Sequence, residues 1–171
     1  MRKRKLASVQ YVHHISPIEG DDRIECIHVL GWQCVANKGQ FQVGEKCVYM
    51  EVDSFLPICE QFEFLRGSSY KRSELLGEGF RLKTLKFRGQ ISQGLVQPLS
   101  VLPAGEYRIG DDVTDLLGIR KWEIEERAKG KYSSGMNKEG IVIRPTEPVY
   151  SSIIAGPLSM KVLNNDYLLK E

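Results

Sequence analysis

The feature that most constrains this chain is a series of short runs in which apolar and polar residues alternate, broken repeatedly by Gly, Asp and Pro, from Leu6 to Pro98. "LASVQYVHHISPI" alternates, "GDD" turns, "RIECIHVLG" alternates again, "WQCVAN" follows, and "KGQFQVGE" leads into "KCVYMEVDSFLP". A period of two sends successive side chains to opposite faces, so each run reads as a strand with one buried side. Runs this short and this closely spaced predict a meander that suits a small barrel. A polar connector follows, "CEQFEFLRGSSYKRSELLGEG", with a short helical pattern at Ser73–Leu76, before strand texture resumes in "FRLKTLKFRG" and "ISQGLVQPLS".

About five strands with one long insertion predict a mainly β fold of the OB type, a partly open Greek-key barrel whose face commonly binds oligonucleotides. "GEYRIGDDVTDLLGI" carries a turn at Gly110–Asp112 and one helical turn with Asp111 or Asp112 as its N-cap. "RKWEIEERAKGKYSSGMNKEG" is charged and then rich in Gly, Ser, Lys and Asn, and reads as a linker. The expected organisation is an OB-fold-like, nucleic-acid-binding module over residues 1–128, a linker over 129–138, and a two-stranded segment over 139–171. A chain of 171 residues has room for one complete module and a partial second. A lone two-stranded ribbon is marginal in water, so the C-terminal strands are expected to pack on the barrel or to pair with a second copy as a homodimer.

Net charge is only +2, so any nucleic-acid surface must come from local clustering. One cluster stands out. From Arg66 to Arg88 the chain sets Arg66, Lys71, Arg72, Arg81, Lys83, Lys86 and Arg88 against Glu74 and Glu78, an excess of five positive charges. If "FRLKTLKFRG" is one strand, Arg81, Lys83 and Leu85 share a face that could follow a phosphate backbone, with Tyr70, Phe80 or Phe87 near enough to stack on bases. The competing reading is a solvated outer sheet face over core aromatics.

Other candidates weigh less. His13 and His14 are adjacent and point to opposite sides of a strand, so one buried and one exposed ring is expected rather than a chelate. Glu51 and Asp53 share a strand face and could hold Mg²⁺, although a pair capping a barrel rim is the plainer account. Cys26, Cys34, Cys47 and Cys59 are 8, 13 and 12 residues apart, without metal-ligand spacing, and read as reduced, buried apolar groups. The basic start "MRKRKLASVQ" lacks the apolar core of a signal peptide, and no run reaches the roughly 20 apolar residues of a membrane span, so a cytoplasmic location without membrane contact is expected.

The last 33 residues carry more specific chemistry. In "KEGIVIRPTEP" Glu139 precedes a Gly and an apolar strand, and in "LSMKVLNNDYLLKE" Lys161 interrupts another. Chemistry on a nucleoside triphosphate needs a carboxylate to organise a divalent ion and a lysine to neutralise the α-phosphate. Lys161 could equally snorkel at a sheet edge.

Together these stretches resemble the covalent nucleotidyltransferase superfamily. "EGIVIRP" is similar to its motif IV and "LSMKVLNNDYLLKE" to its motif V. "PIEGDDRIE", "GWQCVANKGQFQVGEKCVYMEVDSFLP" and "FRLKTLKFRGQISQGLVQPLS" resemble the OB module that precedes the catalytic domain in the Deinococcus-type ATP-dependent RNA ligases. The resemblance implies ATP and Mg²⁺ as cofactors, RNA or a nicked duplex as partner, Glu139 as the motif IV residue linked to metal and nucleotide, and Lys161 as the motif V contact to the α-phosphate. Where many relatives have a second motif V lysine, this chain has Leu163. The K-x-D-G of motif I, which supplies the lysine nucleophile, occurs nowhere in the sequence, and motifs III and IIIa have no room. The chain is therefore expected to be a ligation-incompetent form whose OB module binds RNA, with a C-terminal two-stranded remnant of the nucleotidyltransferase domain. Three rivals remain at this point: a ligase completed by a partner supplying motif I, a tRNA-binding type of OB module, and an interaction domain without nucleic-acid contact.

Overall fold

The run that begins at Leu6 is not one strand but two. In the computed structural model, which describes residues 5–73, 75–122, 140–143, 150–151, 156–157 and 160–163, β1 (Ala7–Tyr11) and β2 (His14–Ile18) are separated at Val12 and His13. β1 pairs antiparallel with β5 (Lys46–Met50), whereas β2 pairs with β3 (Asp21–Val29). A bent first strand thus serves two sheets, which is how a small barrel turns a corner. Both His13 and His14 are exposed, contrary to the expectation of one buried ring. The break explains it, because the residues of the bend no longer alternate across a sheet.

β3 returns as β4 (Trp32–Asn37) through a two-residue turn in which Leu30 and Gly31 both have positive φ, 51° and 79°. That mirror-image turn matches the twist of a hairpin. β5 is the central strand, paired on its other edge with β11 (Leu95–Pro98). Its residues Cys47, Val48, Tyr49 and Met50 are all buried, which requires apolar packing on both faces. Cys47 and Tyr49 join Val12, Ile27, Val29, Cys34, Phe41 and Val96 inside the barrel. Val48 and Met50 face the other way, into a second cluster with Phe62, Phe80, Leu102 and Ile119.

That second core is built by the connector. β6 (Ser54–Leu56) leads to a 3₁₀ helix at Glu60–Leu65, a four-residue helix α1 (Arg66–Ser69), and the hairpin of β7 (Tyr70–Ser73) and β8 (Gly77–Arg81). Where the sequence carries a helical pattern at Ser73–Leu76, Ser73 instead ends β7 and Leu75 and Leu76 lie in a turn; the helical residues lie earlier, where Phe62 and Leu65 supply the buried side. "FRLKTLKFRG" likewise divides. β8 ends at Arg81 within a four-stranded sheet whose order is β12 (Arg120–Lys121), β6, β8, β7, and β9 (Leu85–Phe87) forms a separate hairpin with β10 (Gln90–Ser92).

The segment after β11 closes the fold. A short 3₁₀ turn, Leu99–Val101, leads to residues 110–113, which lie along the free edge of β1: Val9 donates to the carbonyl of Asp111, Gly110 to Val9, and Val113 to Ala7. Buried Thr114 receives the backbone N–H groups of Leu6 and Ala7 at 3.0 and 3.1 Å on its hydroxyl. Asp112 accepts from the Thr114 N–H at 3.0 Å, as a capping aspartate does, while Asp111 accepts from Arg108. β12 (Arg120–Lys121) then pairs with β6. Cys26, Cys34 and Cys47 are buried and Cys59 is half-buried, all as free thiols.

The chain divides into two units, Met1–Trp122 and Glu123–Glu171. In the second, β13 (Gly140–Ile143) pairs antiparallel with β16 (Met160–Leu163), and the short strands β14 (Tyr150–Ser151) and β15 (Gly156–Pro157) pair with each other. Among the described residues no helix is long and apolar enough to cross a membrane.

Candidate nucleic-acid interface

The basic residues of the Arg66–Arg88 stretch sort into three groups. Arg81, at the end of β8, is held inside the protein: its Nη2 donates to the Asp53 carboxylate at 2.7 Å, its guanidinium lies 5.2 Å from the Trp122 ring centre, and its side chain is 11% exposed. Asp53 reaches that partner from a left-handed backbone, φ 68°.

Three further arginines sit beside carboxylates at the surface. Arg66 pairs with Glu63 and lies over the rings of Tyr70 and Phe80, at 5.3 and 5.6 Å. The ion pair with Arg66 holds the Glu63 carboxyl below its usual range. Arg72 lies 3.8 Å from Glu78, and Arg88 3.7 Å from Asp21. The Asp21 carboxyl is held down first by the backbone N–H of Arg23, at 2.9 Å, and then by the Arg23 and Arg88 side chains, against the opposing effect of burial.

Lys71, Lys83 and Lys86 form the last group. All are exposed, and none makes an ion pair among the described residues. Arg81 and Lys83 do not share a strand face, because the strand between them has ended.

Lys86 and Arg88 belong to the β9–β10 hairpin, whose turn at Arg88–Gly89 again has two positive φ values, 50° and 85°. The β10 end is fixed to β4 by polar contacts rather than by a full strand ladder. Val35 donates to Ser92 Oγ at 3.0 Å, Gln93 to the Gln33 carbonyl at 2.6 Å, and Gln90 Nε2 to Gln33 Oε1 at 2.8 Å. The Tyr49 hydroxyl reaches from inside the barrel to the Gln93 carbonyl at 2.8 Å.

Between this hairpin and the Glu60–Leu65 turn two hollows adjoin and share Val35, Phe64, Phe87 and Leu95. Of the aromatics anticipated for stacking, Phe80 is fully buried and Tyr70 half-buried against the second core. Phe87 is 41% exposed and lines the groove; Phe64, which the sequence reading passed over, is 60% exposed and lines it too. Its signal lies in "EQFEFL": in a tight 3₁₀ turn Phe62 takes the buried place and Phe64 cannot.

Glu139 lies outside the described residues. Lys161 stands in β16 opposite Val142 of β13. No three His, Cys, Asp or Glu side chains among the described residues come together as a metal site, Glu51 and Asp53 included.

The bent first strand, the two-faced central strand and the inserted hairpins define an OB module. A family model described as an OB-fold domain matches residues 6–99, more than half of the chain. Among solved structures, Naegleria gruberi RNA ligase with pyrophosphate is 43% identical with a TM-score of 0.66, over 71% of this chain and 36% of that one. An apo variant of the same ligase is 41% identical with a TM-score of 0.67, over 77% and 39%, and a variant with ATP and manganese is 39% identical with a TM-score of 0.66, over 84% and 41%. The chain belongs to this OB-fold domain family, and it is similar over most of its length to part of the Naegleria gruberi RNA ligase. It spans little more than a third of the length of the ligase structures it matches. No curated protein matches it.

Proposed function

We propose that the OB module of this chain binds RNA through its sugar-phosphate backbone, as the substrate-holding part of an RNA-ligase-family protein. The observation that carries the proposal is the set of three exposed lysines that make no ion pair among the described residues, Lys71 beside Arg72 on β7, Lys83 after β8, and Lys86 beside Arg88 on the hairpin that also presents Phe87. Arg81 is largely buried and already paired with Asp53, so it gains little from a phosphate and is left out of the contact surface, and Arg66, paired with Glu63, contributes weakly. Arg72 and Arg88, whose own side chains are exposed and which lie 3.8 and 3.7 Å from their carboxylates, can exchange those partners for phosphate oxygens.

The ATP and divalent ion of the family fit Glu139 and Lys161 by motif alone. Lys161 would neutralise charge on an α-phosphate and Glu139 would face the cation. Neither residue can supply the covalent nucleophile that the K-x-D-G lysine supplies in relatives, and lysine nucleophilic catalysis needs an amine held against the α-phosphorus. We infer that this chain alone does not join RNA strands.

Salt titration of RNA binding tests the proposal. Affinity for a single-stranded 12-mer should fall as salt rises, with a log–log slope of about −0.7 per phosphate contact. A slope of zero, or no binding at low salt, would sink it.

A further inference from the structure

We propose that the groove between the Glu60–Leu65 turn and the β9–β10 hairpin is a slot for an unpaired nucleobase of single-stranded RNA, with Phe64 and Phe87 as its stacking faces. The proposal rests on the RNA-binding reading above and narrows it to nucleotides whose bases are free.

The phenylalanines carry the argument. The chain has six. Phe41, Phe55, Phe62 and Phe80 are at most 3% exposed, whereas Phe64 and Phe87 are 60% and 41% exposed, and those two line the same groove. They come from elements far apart in sequence, so their convergence is a property of the fold. Val35 and Leu95 form an apolar floor between them. A flat, apolar-faced group that slides between two rings and rests on such a floor is what this shape accepts.

Charge then selects among flat groups. The lining of the two hollows contains Lys83 and no carboxylate, and Lys86 and Arg88 flank Phe87 on the hairpin. An aromatic group that carries an anion beside it fits this arrangement, and a nucleotide is such a group. Exposed Asn37 and Gln40 stand at the far end, where their amides can meet the polar edge of a base. An apolar helix of a protein partner would instead need an uninterrupted apolar stripe, and the floor is bounded by amides at one end and by Lys83 and Ser68 at the other. A paired duplex cannot enter, since its bases already stack on one another.

The test uses the full chain and three fluorescent 12-mers: single-stranded RNA, the same RNA with abasic residues at its centre, and a blunt duplex. The single strand should bind about 5- to 150-fold more tightly than the abasic strand, the range expected for one stacked base. Phe87→Leu, which keeps the apolar surface but not the ring, should remove that preference and leave the salt slope unchanged. Phe64→Ala should do the same, with unchanged urea midpoints of both variants reporting an intact fold. A 2-aminopurine base placed at the centre should be quenched by the unaltered chain and not by Phe87→Leu. Equal binding of abasic and normal strands overturns the slot while leaving phosphate binding standing; failure to bind any of the three removes the broader reading as well. A concentration-dependent dimer that Phe87→Leu abolishes without RNA would give the groove to a second copy and overturn the proposal.

Discussion

Arg81 and Lys83 stand two positions apart and meet opposite surroundings. Replacing Arg81 by Gln leaves the Asp53 carboxylate without its 2.7 Å partner and takes a cation from the Trp122 ring. We expect a loss of about 1–3 kcal/mol in urea unfolding. Lys83→Gln should change stability by less than about 0.5 kcal/mol, since the side chain is exposed and makes no ion pair among the described residues. Its effect should appear instead as a shallower salt slope for RNA, by roughly 0.7. The thiols give a separate check. Burial pushes both Cys34 and Cys47 up to about 12, from an ordinary value of 9.0. Between those limits the folded chain holds protons that the unfolded chain has lost, so their contribution is intact below pH 9 and is lost as pH rises toward 12. The urea midpoint at pH 10.5 should therefore lie below that at pH 8, and Cys34→Ala with Cys47→Ala should shrink the difference. The same residues show what the sequence could disclose. Free, buried cysteines follow from their place in alternating runs. The fate of Arg81 does not, because nothing local announces that the chain leaves its strand one residue later to meet Asp53.

At the scale of elements, the barrel strands were legible because each buries one face or, in β5, both. The connector was not. Its polar composition reads as loop, yet Phe62, Leu65 and Phe80 spaced along it are enough to cover the outer face of β5 and make a second core. Helix and strand patterns four residues long carry little periodicity, and tertiary contact decided them. The approach to β11 is where this layer is least forgiving. Gly94 has φ 108°, and a side-chain carbon there would sit 2.4 Å from the Met50 carbonyl and 3.0 Å from the Tyr49 ring. Gly94→Ala should cost about 3 kcal/mol or more. Thermal unfolding would show it, and an unchanged midpoint would mean that β11 can move away from β5.

For the whole molecule, an OB module precedes a segment to which we assign two nucleotide-site motifs by resemblance, and the sequence contains no K-x-D-G. Incubation with a divalent cation and α-labelled ATP should leave no label on the denatured chain. Label that survives denaturation would reveal another lysine, with Lys138 and Lys161 the first to replace. The groove was the least legible feature at this scale. Phe64 and Phe87 are separated by more than twenty residues, and only the packing of the Glu60–Leu65 turn against the hairpin brings them to one place.

Thr114 and its neighbours bind the edge of β1 from 107 and 108 residues further along the chain. During synthesis the first strand therefore emerges long before the residues that cover its outer edge. Until residue 114 has left the ribosome, the backbone N–H groups of Leu6, Ala7 and Val9 have only water or some other edge to bond with. The barrel can assemble its hairpins early, but its completion waits for the end of the module. A nascent chain with only about 100 residues outside the ribosome should thus be more open to proteases and to aggregation than one with residue 122 outside it.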